Sequence, residues 1–210
     1  MIKHLKADLD EPERFIDDDH GRVYSRVVGG LAWPAKDKPG FLTVMGLDME
    51  PDAQGHRHYW LLAEHESGDI GDLVRIAMDM RQEYQVRTWV GNVGNKPAMY
   101  LLGELMRDKD YKERLYLDMA PHAADTQGLM FYHTLIKECA RGNRNLLHLG
   151  DSALIGYLSQ TSNEDLSRAP EDFPAVAALG YALAELYGYQ SVITSHGPIS
   201  YSDSPGAWML

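Results

Sequence analysis

Two apolar runs joined by a turn constrain this chain most. Residues 41–47 (FLTVMGL) read as a strand and residues 56–64 (HRHYWLLAE) as a second one. The MEPDAQG between them is turn-forming, so an antiparallel hairpin follows. Helical and strand patterns then alternate. Residues 69–84 place Ile70, Leu73, Ile76, Ala77 and Met80 at three- and four-residue spacing behind Asp69, a good N-cap. Residues 86–90 (VRTWV) predict a strand, 96–107 a helix opened by Pro97, and 114–119 another strand. Further helices are expected at 128–141, at 151–160 capped by Asp151, and at 173–187, with a short strand at 146–148. Strands first and then alternation imply a mixed sheet flanked by helices, an α/β architecture.

The flanks read differently. Residues 1–39 are polar, broken by Pro12, Pro34 and Pro39, and carry an acid cluster at Asp17, Asp18 and Asp19. They predict an arm or linker, with residues 23–33 able to pair as an edge strand. Residues 40–190 form the expected domain and residues 191–210 a turn-rich tail. With 210 residues the chain is long enough to bury one core. No apolar run reaches the roughly 18 residues of a membrane span. The first residues lack a signal peptide's apolar centre, so a cytoplasmic protein is expected. The lone Cys139 has no internal disulfide partner and reads as a buried helical thiol.

The net charge of -11 argues against a protein held on nucleic acid by charge alone. It leaves room for a nuclease that borrows positive charge from metal ions. The residues for such a site begin with Asp48 and Glu50, which follow the first strand and share its parity. Solvated residues entering a turn would look the same. His56 and His58 also share a face, but no partner set completes a zinc site. There is no G-x-S-x-G elbow and no G-x-x-x-x-G-K-[ST] loop.

Three stretches resemble the C-terminal nuclease domain of the tailed-phage terminase large subunit, of the ribonuclease H-like superfamily. They are GLDME at 46–50, the stretch from Tyr132 to Gln160, and EDFPAVAALGYALA at 171–184. The resemblance spans residues 41–189. It implies a ribonuclease H-like mixed β-sheet flanked by helices, in which carboxylates from separate strands and a late helix converge on divalent metals. Asp48 and Asp172 match the catalytic, metal-ligating aspartates, with Glu50, Glu171 and Asp72 as supporting ligands. Mg²⁺ or Mn²⁺ would activate water for phosphodiester hydrolysis during genome packaging. The expected partners are double-stranded DNA, bound weakly, and a packaging ATPase or portal protein in the bacterial host of a phage or prophage.

The chain also departs from that family. Where members carry an acid after the strand matching VRTWV, this sequence has Gly91 and Asn92, and only Asn92 offers an oxygen. Two functions therefore stand side by side: an active metal-dependent endonuclease, or a catalytically degenerate module for binding or assembly. They differ in whether three or more carboxylates converge in one cleft, since crowded like charges are costly without a cation.

Overall fold

The structure is a computed structural model that describes residues 5–7, 14–107, 115, 117–119, 146–162, 164–165 and 172–195, with side chains to 187. The expected 128–141 helix, Cys139, Glu171 and the 196–210 end of the tail lie outside the described residues. In chain order the elements are β1 (Lys6–Ala7), β2 (Phe15–Asp17), β3 (Arg22–Ala32), β4 (Gly40–Asp48) and β5 (Tyr59–Ser67). They continue with α1 (Ile70–Glu83), β6 (Thr88–Gly91), α2 (Lys96–Leu105), β7 (Asp118–Met119) and β8 (Leu147–His148). Two more helices follow, here α3 (Leu154–Gln160) and α4 (Pro174–Ser195).

All eight described strands join one mixed sheet. β3, β4 and β5 form an antiparallel meander. The chain then crosses back through α1, and β6 pairs in parallel with β3. It crosses again through α2, and β7 pairs in parallel with β6. β8 closes the other edge, parallel to β5. The order across the sheet is therefore β7-β6-β3-β4-β5-β8, with β2 and β1 along the first part of β3.

Helices cover both faces. Leu73, Val74 and Ala77 of α1 and Ala98 and Leu102 of α2 pack on Val27, Leu31, Leu42, Val44 and Trp89. Leu154 and Leu158 of α3 and residues 175–179 of α4 pack on Val28, Phe41, Met45 and Val90. Burial on both faces explains why the first eight residues of β4 are all buried and read as a near-continuous apolar run. No helix among the described residues is long and apolar enough to cross a membrane.

The expected 1–39 arm is the main correction. β3 is an eleven-residue strand at the centre of the sheet, not an edge, and its last six residues are buried. Its Gly29–Gly30 pair looks like a breaker in sequence but marks close approach from both sides. A Cβ on Gly29 would lie 2.3 Å from the Trp89 ring, and one on Gly30 would lie 1.9 Å from the Ala178 carbonyl oxygen of α4. Asp17 is fully buried rather than a linker acid. Its Oδ1 accepts from the backbone N–H groups of Asp19 and His20 and so builds the β2–β3 turn.

Smaller differences sit at element ends. The hairpin forms, but residues 56–58 belong to its loop and β5 starts at Tyr59. Asp69 caps α1 as expected, accepting from Asp72 N at 2.7 Å. Asp151 does not cap α3. Glu64 accepts from Ala153 N, and Ser152 Oγ accepts from Leu154 N.

Candidate functional site

The ends of the central strands bring together what this chain offers as a site. β3 and β6 run in parallel and pair Leu31 with Gly91, so their carboxyl ends are side by side. The residues there are Ala32 and Trp33 on one strand and Gly91 and Asn92 on the other. Trp33 is buried, and its indole N–H donates to the Asn92 backbone oxygen at 3.1 Å. The side-chain oxygen of Asn92 accepts from Gly94 N at 2.8 Å, which closes the turn into α2. That bond uses one of the oxygen's two lone pairs locally, and Asn92 acts as a turn residue. Gly91 has no room for a side chain: a Cβ would meet the Leu31 oxygen at 2.6 Å and Leu117 at 3.0 Å.

α4 begins at the same end of the sheet. Asp172, just before it, faces the β3–β4 turn, where Lys36 Nζ donates to Asp172 Oδ2 at 2.6 Å. The other oxygen, Oδ1, is buried and has no hydrogen-bond partner among the described residues. Lys38 lies over the Phe173 ring at 4.0 Å, a cation–π arrangement. A groove of about 500 Å³ opens beside these residues, lined by Lys38, Phe41, Tyr157, Asp165, Asp172 and Phe173 among others.

Asp48 and Glu50 lie elsewhere. Asp48 closes β4, while Asp172 sits by the turn that precedes β4. Eight residue steps of about 3.3 Å separate the two strand ends, roughly 26 Å. One or two metal ions cannot bridge that distance. Burial raises the Asp48 carboxyl above the usual range, against the opposing pull of Trp60, His58 and Arg22. Glu50 is exposed in the bend that follows.

Asp72 is on the same end as Asp172 but in the opposite helix layer, in the first turn of α1. It is fully engaged. His65 Nε2 bonds its Oδ2 at 2.9 Å and Arg75 binds its Oδ1. The bonds from His65 and then Arg75 draw its pKa down to about 2. Among the described residues no three His, Cys, Asp or Glu side chains are placed to hold a metal ion. Of the expected ligands among the described residues, Asp72, Asn92 and Asp172 lie at this end of the sheet, the first two at α1 and the turn into α2 and Asp172 before α4 in the other layer.

A second cluster surrounds Asp48. His58 and His56 both face Asp52, with His58 Nε2 at 3.2 Å and His56 Nδ1 at 3.7 Å. The other ring nitrogen of His58 lies 2.7 Å from His148 Nε2. His148 stacks on Trp60 at 3.8 Å between centroids, and Arg22 lies over the same indole at 3.7 Å. Alternation along the chain shows that His56 and His58 share a face. Nothing local joins His58 to a residue 90 positions later, so His148 had no signal in the sequence. Trp33 and Lys36 were missed because their strand was read as a linker. No protein-family model matches the chain, and a comparison with curated proteins finds no match.

Proposed function

We propose that this chain is a ribonuclease H-like module that does not cut, and that it serves as a binding or assembly part of a tailed-phage or prophage packaging system. The carrying observation is the pair of central strand ends. Where that superfamily places carboxylates, β3 ends in Ala32, followed by Trp33, and β6 in Gly91, followed by Asn92, with Trp33 bonded across the gap. The strand plan supports the fold: a meander whose first strand pairs in parallel with the strand after a helix, and that strand with the next. On this plan β3, not β4, is the first strand. The resemblance of GLDME to the family's first-strand motif then falls on the second strand, which accounts for the distance of Asp48 from Asp172.

Among the described residues, no set of donors fits a pair of divalent cations. At Asp172 the counter-charge is the Lys36 ammonium, a monovalent group built into the chain. Mg²⁺ and Mn²⁺ favour several oxygen donors around each ion. The partners in this reading are a packaging ATPase or portal protein, with double-stranded DNA bound weakly because of the -11 net charge.

Cleavage of supercoiled plasmid in Mn²⁺ or Mg²⁺ tests the reading, with EDTA, Asp172→Asn and Asp48→Asn as controls. Folded protein is expected to leave the plasmid intact. Metal-dependent nicking that disappears in Asp172→Asn would restore the endonuclease.

A further inference from the structure

We propose that Asp52, His58 and His148 form a one-proton latch that holds strand β8 on the edge of the sheet and releases it in acid. This does not depend on the packaging reading. It begins with the shortness of β8, whose Leu147 is buried in the core while His148 meets the loop before β5. The strand has two residues, paired as Tyr59↔Leu147 and Trp60↔His148, with one further bond from Tyr59 N to Leu146 O at 2.8 Å. So short an edge strand has little pairing of its own.

Side chains supply the rest. Asp52 is fixed by the backbone N–H groups of Gln54 and His56, which donate to its Oδ1 at 2.9 and 2.8 Å. These contacts, with that of His56 the largest, hold its carboxyl below the usual range, so it is an anion and an acceptor. His58 Nε2 faces this anion and therefore carries a proton. The Nδ1 of a neutral His58 is then an acceptor, and His148 Nε2–H donates to it across 2.7 Å.

Proton counting gives the switch. With both rings neutral, one N–H lies between the facing nitrogens. A proton added to either ring leaves one N–H between them, because the other ring can still accept. A second added proton puts N–H on both sides of a 2.7 Å gap, and the contact must break. The closed latch accepts one extra proton; the open one accepts two.

The surroundings set which ring yields. Asp52 faces both His58 and His56. His148 faces Arg22 across the Trp60 indole and His58 on its other side. Burial first, and then His58 and Arg22, hold His148 below the ordinary histidine range. A metal ion is a poorer occupant than a proton. Asp52 bonds the opposite nitrogen of His58, so three donors do not converge.

The test uses the full-length chain and an NMR pH titration from 8 to about 4.5, following the imidazole signals and the Trp60 indole N–H. The two added protons are expected to bind in separate steps, the second in more acid solution together with a shift of the Trp60 signal as His148 leaves its ring. In His58→Gln the amide oxygen accepts from either form of His148, so the Trp60 shift should vanish. His148→Phe keeps the stack without the proton and should also give a flat Trp60 signal; it serves if the glutamine variant does not fold. Two rings that titrate independently with no change at Trp60 would overturn the latch. So would a Trp60 shift that survives in either variant.

Discussion

Single residues carry much of this fold, and glycines show it best. Gly30 lets α4 approach β3 until the Ala178 oxygen occupies the place of a Cβ. Gly30→Ala should therefore lower stability by about 3 kcal/mol or more in urea unfolding, an overpacking cost with no flexible neighbour to yield. Gly103, inside α2 with nothing within 4 Å of a built Cβ, gives the opposite sign. Gly103→Ala should stabilise by roughly 0.5–1 kcal/mol through helix propensity. Asp72 gives a pH prediction. Its folded pKa of about 2 lies below the usual 3.8, so it contributes stability above pH 3.8 that is lost as the pH falls through 2. An NMR carboxyl titration of His65→Ala should move its midpoint upward, because the largest cause of the shift has been removed. Asp48 has the reverse sign. Its pKa is raised, so its charge opposes folding at pH 7, and Asp48→Asn should raise the melting temperature there. The gain should shrink in acid, once the wild-type carboxyl is protonated.

Elements with a single clear period were legible in the sequence: the hairpin, α1 with its Asp69 cap, α2 and the apolar α4. β3 was not. Its glycines remove the alternation that marks a strand, and its contacts are long-range, to β4, β6 and α4. The site suffered in turn. With β3 read as a linker, β4 took the place of the first strand and Asp48 that of a metal ligand. Asp172 was singled out because EDFPAVAALGYALA resembles the family's acidic motif, while its Lys36 partner lies 136 residues away and leaves no local trace. The status of β3 can be checked directly. A chain that begins at residue 40 loses the central strand and should show no cooperative unfolding by circular dichroism. A folded 40–210 fragment would return residues 1–39 to the role of an arm.

The whole molecule is an α/β layer structure whose two ends have different chemistry. One end, at β3, β6 and α4, holds Trp33, Asn92 and a lysine–aspartate pair. The other, at β4, β5 and β8, holds a histidine pair beside Asp52 and Trp60. In the proposed reading the first end is the place of the lost metal site, and there Lys36 is paired with Asp172. The most direct test is Mn²⁺ binding, read from the electron paramagnetic resonance signal of the free ion, for the wild type and Asp172→Asn. The account predicts the same weak binding for both proteins. Two Mn²⁺ ions bound tightly by the wild type and lost in Asp172→Asn would contradict it.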